Sequence, residues 1–84
     1  MLKIKFFASL RESLRISEVR LELDAQRVYS VQAVTEQLSK KGDLWQQLLA
    51  DESTVTALNH SQCDSTAVVS DGDELAYFPP VTGG

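Results

Sequence analysis

Apolar and polar residues alternate from the start of the chain. Leu2-Lys3-Ile4-Lys5-Phe6 reads as a strand with Leu2, Ile4 and Phe6 inward and the lysines outward. Phe7 falls on the lysine face. Ser9-Leu10-Arg11-Glu12 has capping-box spacing and predicts a short helical turn. Val19-Arg20-Leu21-Glu22-Leu23 alternates again, a second strand with Val19, Leu21 and Leu23 inward. The period then lengthens. Val31, Val34 and Leu38 stand three and four apart, the stripe of an amphipathic helix. Ser30 is placed to cap its start, Lys40 and Lys41 suit the negative end of its dipole, and Gly42 suits a left-handed stop. Asp43 is placed to cap a shorter helix carrying Leu44, Trp45, Leu48 and Leu49.

Strand patterns return in the last third. Thr54-Val55-Thr56-Ala57-Leu58 is rich in β-branched residues. Asn59 to Thr66 reads as loop with room for a brief extended piece, and Ala67-Val68-Val69 is apolar but very short. Asp71-Gly72-Asp73 marks a tight turn. Glu74 to Phe78 is the last strand, with Leu75 and Tyr77 on one face and Ala76 and Phe78 on the other. One mixed sheet with a main helix laid across one face buries these stripes most simply, an α+β fold. With the first and last strands adjacent and parallel, this is the β-grasp arrangement of ubiquitin-like proteins. Residues 1–78 then form the domain, and residues 79–84 a flexible, extended C-terminal tail that leaves the last strand at the edge of the body. In that arrangement Phe7 and Phe78 share the uncovered face of the sheet as a contact patch for protein partners, unless loops cover each ring.

Composition narrows the function classes. A chain of 84 residues is one domain with little room for a deep catalytic pocket of its own. A formal net charge of −4 argues against a general nucleic-acid binder. No apolar run approaches the length of a membrane span, and the amphipathic opening strand leaves no visible signal peptide. The single Cys63 cannot make an internal disulfide, which fits a reducing cytoplasm. Cys63 has no neighbouring His, Cys or basic cluster in sequence to activate it and reads as a spare loop thiol. His60 and Cys63 lack the ligand number of a metal site, so no metal is expected. Asp71, Asp73 and Glu74 read as turn and solvent charges, or as groups that meet basic residues on a partner.

The C-terminal run is the most informative segment: Tyr77-Phe78-Pro79-Pro80-Val81-Thr82-Gly83-Gly84. Two prolines fix φ and stiffen the exit from the folded body. Two glycines, without Cβ atoms, let a partner's walls approach the backbone from any side. Extended, the six residues from Pro79 reach roughly 20 Å. The run reads as a slender probe whose one reactive group is its terminal carboxylate.

Two stretches carry a family resemblance. Lys5-Phe6-Phe7-Ala8-Ser9-Leu10-Arg11-Glu12 and Asp71-Gly72-Asp73-Glu74-Leu75-Ala76-Tyr77-Phe78-Pro79-Pro80-Val81-Thr82-Gly83-Gly84 resemble the MoaD group of sulfur carriers, the small subunits of molybdopterin synthase. Trp45 and Asn59 also fit that pattern. The resemblance implies a cytoplasmic protein of molybdenum-cofactor synthesis. It implies that an E1-like adenylyltransferase uses ATP to convert the carboxylate of Gly84 into an acyl-adenylate, which a persulfide donor turns into a thiocarboxylate. It implies transfer of that sulfur to cyclic pyranopterin monophosphate within the large synthase subunit, in a heterotetramer of two small and two large subunits. Gly84 would carry the sulfur, and a side chain at Gly83 would hinder threading. Pro79, Pro80, Val81 and Thr82 would line the partner's channel, and Phe78 and Phe7 would anchor the body. The chain would bind no cofactor, nucleic acid or membrane itself and would not be a catalyst alone.

Three other readings remain open on sequence. A carrier for thiamine thiazole synthesis shares the glycine pair, but such carriers are usually shorter and lack the Phe-Pro-Pro approach. A ubiquitin-like modifier brings arginines next to its glycines, where this chain has Val81-Thr82. A plain interaction module would leave the tail incidental.

Overall fold

A computed structural model describes residues 1–80. The tail residues Val81, Thr82, Gly83 and Gly84 lie outside the described residues, so the expectation of an extended segment there rests on sequence alone. Strand β1 (Leu2–Phe6) turns into helix α1 (Ala8–Leu14) and returns as β2 (Glu18–Leu21). A two-residue strand β3 (Tyr29–Ser30) leads into α2 (Val31–Ser39) and α3 (Asp43–Leu49). β4 (Val55–Leu58), β5 (Ser61–Cys63), β6 (Val68–Val69) and β7 (Glu74–Phe78) follow. Five strands form one sheet in the order β2-β1-β7-β4-β5, and β3 and β6 make a small separate pair. The β1–β7 pair is parallel and the other pairs are antiparallel. This is the expected β-grasp arrangement.

The alternation read from the sequence is realised as burial. Leu2, Ile4 and Phe6 of β1 and Leu75 and Tyr77 of β7 are buried against Val31, Val34 and Leu38 of α2. The helix forms where its period appears and is capped as expected, since Ser30 Oγ accepts the Ala33 N–H at 3.1 Å. Val19, Leu21 and Leu23 pack on the same core, although β2 ends at Leu21.

Several local expectations are corrected. α1 uses no capping box. Phe7 is its extended N-cap without a side-chain bond, and Ser9 lies inside the helix. The Phe7 N–H instead donates to the Tyr77 carbonyl at 3.1 Å, which carries the parallel ladder one residue beyond β1 and fixes where the chain leaves the sheet. Gly42 is not a left-handed stop. Its φ of 160° is extended backbone at the entrance to α3, and Asp43 sits in the first helical turn rather than capping it. α2 closes by tight-turn bonds, Lys40 N–H to Gln37 C=O at 3.3 Å and Lys41 N–H to Leu38 C=O at 3.0 Å, which need no left-handed residue. Cys63 lies in β5 rather than in a loop, and β3 has no counterpart in the sequence reading, because two residues are too few for a period to register. Gly72 does take the left-handed turn position, at φ 90°.

Candidate functional site: the root of the tail and the uncovered sheet face

β7 is the central strand, so the tail starts from the middle of the sheet. Its last two residues are held on opposite faces. Tyr77 points into the core, stacked on Phe6 at 5.7 Å between ring centroids, and Phe6 meets Trp45 edge-on at 5.4 Å. The Tyr77 hydroxyl lies 2.6 Å from Thr35 Oγ1. Thr35 Oγ1 also donates to the Val31 carbonyl at 3.0 Å, and a hydroxyl has one proton. Tyr77 is therefore the donor to Thr35. Burial pushes the Tyr77 pKa up to about 12, so the phenol stays neutral and keeps its proton in that bond.

On the other face Phe78 stacks on Phe7, with centroids 4.7 Å apart and planes 6° from parallel. Both rings are half-buried. The β1–β7 register brings them together: Phe6 lies opposite Tyr77, so the next residue on each strand shares the outer face. Val55 lies opposite Phe78 and Ala57 opposite Ala76, extending the apolar surface across β4. Pro79 and Pro80 continue from this platform, Pro80 exposed. The structure thus places Phe7 and Phe78 on one face, as expected from the alternation, with Pro79 and Pro80 following Phe78 along the chain. The positions of Val81, Thr82, Gly83 and Gly84 lie outside the described residues.

Sequence reasoning missed Val55, and it missed the Tyr77–Thr35 bond that clamps the root. β4 has Val55 and Ala57 on one face and Thr56 and Leu58 on the other, so neither face is clearly polar and its alternation points nowhere. A tyrosine within an apolar strand is the one signal that a buried polar partner must exist.

The remaining candidates are structural. Cys63 is half-buried, and its thiol faces Thr56 Oγ1 at 3.5 Å. His60 is exposed, with Nε2 3.6 Å from Glu74 Oε2, and Glu74 also meets Lys5 Nζ at 3.7 Å. Asp73 receives the Asn59 amide at 3.1 Å and the Ser70 N–H at 2.8 Å, while Asp71 pairs with the N-terminal ammonium. Among the described residues no group of His, Cys, Asp and Glu could hold a metal ion, and no helix is long and apolar enough to cross a membrane.

The chain has clear relatives. The family model described as ThiS family matches residues 4–84. The molybdopterin synthase sulfur carrier subunit of Haemophilus influenzae is 39% identical over 84 residues, the full length of both chains. Among solved structures, SAMP1 from Haloferax volcanii superposes with a TM-score of 0.80 at 26% identity, over 99% of this chain and 98% of that one. A complex of subunits 1 and 2 of the molybdopterin-converting factor from Helicobacter pylori contains a chain of the same fold. Its TM-score is 0.67 at 19% identity, over 99% of this chain and 97% of that one.

Proposed function

The chain belongs to the ThiS family, and from that premise we propose that it is the sulfur-carrier subunit of a molybdopterin synthase. The geometry at the root of the tail supports this reading. Tyr77 is locked from the core side and Phe78 from the open side, so Pro79 and Pro80 leave the body in a set direction. A tail aimed in advance loses less entropy when it enters a partner's cleft.

The chemistry runs through the terminal carboxylate of Gly84. A carboxylate is a poor electrophile. An E1-like adenylyltransferase spends ATP to make the acyl-adenylate, releasing pyrophosphate. The terminal sulfur of a persulfide donor displaces AMP to give an acyl disulfide, and a second thiol cleaves that S–S bond, freeing the thiocarboxylate and leaving a disulfide on the donor side. The resulting thiocarboxylate is a soft nucleophile, ionised near neutral pH. The large synthase subunit takes up the tail, and the sulfur passes to cyclic pyranopterin monophosphate. Two such transfers build the dithiolene. Gly84 carries the sulfur because a Cβ there would crowd the attacked carbonyl, and Gly83 keeps the approach narrow. Pro79, Pro80, Val81 and Thr82 line the channel, while Phe7 and Phe78 seat the body. The assembly is a heterotetramer of two small and two large subunits, in the cytoplasm. The chain contributes its tail to another subunit's active site, and ATP is used by the activating partner.

Likeness to SAMP1, a small archaeal modifier protein, favours a second reading in which the same activated glycine is joined to lysines. The Val81-Thr82 approach, in place of arginines, favours the first. Intact mass of the protein isolated from its host separates them. A terminal sulfur in place of oxygen supports the carrier, and isopeptide adducts without it support the modifier. Deleting Gly84 is expected to leave the circular dichroism spectrum and melting temperature unchanged and to abolish cofactor synthesis in a complementation assay. Retained synthesis would refute the carrier reading.

A further inference from the structure

The uncovered face of the sheet carries charge as well as aromatic surface, and the charge is arranged. Lys3 and Arg20 lie directly opposite each other across β1 and β2, on the same face as Phe7 and Phe78. Like charges in register destabilise a strand pair. The face does little to relieve them. Arg20 reaches only Glu18 on its own strand, at 3.3 Å, with Arg20 largely exposed and Glu18 partly so. Lys3 makes no ion pair among the described residues. Glu74 stands opposite it on β7, but Glu74 is engaged by Lys5 and His60. Within the paired strands, Lys3, Lys5 and Arg20 stand against Glu18 and Glu74 on this face, with Glu22 just beyond the end of β2, so the face is near balance on a chain whose formal net charge is −4. The acidic balance therefore lies elsewhere on the molecule.

We propose that Lys3 and Arg20 form the electrostatic half of the docking face, and that they meet an acidic patch on the partner that receives the tail. The inference rests on the carrier reading above. Phe7, extended and one residue past the end of β1, lies four residues from Lys3, about 13 Å at the rise of a strand. The partner surface accordingly carries carboxylates about that far from its apolar seat for Phe7 and Phe78. Two unlike contacts at a fixed spacing define an orientation as well as an affinity. The aromatic pair, once desolvated, governs how long the complex lasts. The cations, at the exposed end of the face, govern how fast it forms.

The test is binding kinetics of the full-length chain against the large synthase subunit of the same organism, at low and at physiological salt. The Lys3→Glu/Arg20→Glu variant exchanges one like-charged pair for another. Its association rate at low salt is expected to fall about tenfold or more, with a flattened or inverted salt dependence and a dissociation rate within about threefold of the parent. Lys3→Gln/Arg20→Gln removes both charges without adding any and should fall between. Thermal melting confirms that each variant is folded. Phe78→Ala should show the converse, faster dissociation with association nearly unchanged. Association rates equal to the parent's in both charge variants would overturn the inference and leave the carrier reading standing. A faster rate on charge reversal would overturn it too, since the facing surface would then be basic. A parent chain that does not bind the large subunit at all would overturn both.

Discussion

Tyr77 and Phe78 are neighbours in sequence with opposite duties. Tyr77 is 1% exposed and belongs to the core. Its loss to phenylalanine removes one donor but leaves Thr35 with the Val31 carbonyl, so no buried hydroxyl proton is stranded. Tyr77→Phe is therefore expected to cost about 0.5–1.5 kcal/mol in denaturant unfolding. Phe78 is half-buried, and its stacking with Phe7 is worth about 0.5–1.5 kcal/mol beyond simple burial. Phe78→Ala should accordingly lower the melting temperature modestly while weakening partner binding by a larger factor. Calorimetric titration beside thermal melts checks this, and an unaltered affinity would remove Phe78 from the docking face. The glycines differ in the same way. Gly72 sits at φ 90° with open space around it, so Gly72→Ala is resisted by backbone strain alone, about 1–2 kcal/mol. Gly42 is extended, and an added Cβ would find Trp45 at 3.8 Å, ordinary contact. Gly42→Ala should be close to neutral in the same unfolding experiment.

At the scale of elements, the long periodic segments were legible from sequence. β1, α2 and β7 each show enough repeats for the inward set to be named, and those residues are buried in the structure. The meeting of Phe7 and Phe78 was expected only if β1 and β7 were neighbours, and the parallel register supplies that condition. What escaped was decided by contacts distant in sequence. β3 exists because Tyr29 and Ser30 find Val69 and Val68, not because of any pattern of their own. α1 starts at Ala8 because the Phe7 N–H is claimed by the Tyr77 carbonyl, which overrides the local appeal of Ser9 as a cap. Gly42 could not be read because left-handed and extended backbone are equally open to glycine. For the candidate site, the aromatic pair and the prolines were legible, whereas the Thr35 clamp and the Lys3–Arg20 pair required the register. Ser30→Ala tests the one expected cap that the structure forms, and is expected to destabilise the fold by about 1 kcal/mol in urea unfolding.

For the whole molecule, the shifted groups set the edges of its pH range. The Asp51 carboxyl is held below its ordinary value by the hydroxyl and N–H of Ser53, Asp64 by those of Thr66, and Asp71 by the N-terminal ammonium. Each of these groups is depressed in the folded state, so its contribution is present above a pKa of 3.8 and is lost as the pH falls through the lower folded value. All three are exposed, so the acid limb should be shallow. Tyr77 acts at the other end. Its pKa is raised from 10.0 to about 12, so its contribution is complete below pH 10 and is lost between there and about 12. Melts across this alkaline range should show a decline that is reduced in Tyr77→Phe. An equal decline in both proteins would mean that the phenol keeps no special hold on its proton.

The placement of β7 between a parallel and an antiparallel neighbour has a mechanical consequence. A partner that tugs on the C-terminal segment pulls β7 along its own length, against β1 on one side and β4 on the other. The load falls on both ladders in shear, so their bonds must yield together rather than one after another, as they would in a peeled edge strand. On the carrier reading proposed above, such a body would be drawn out of a partner's grip without unravelling.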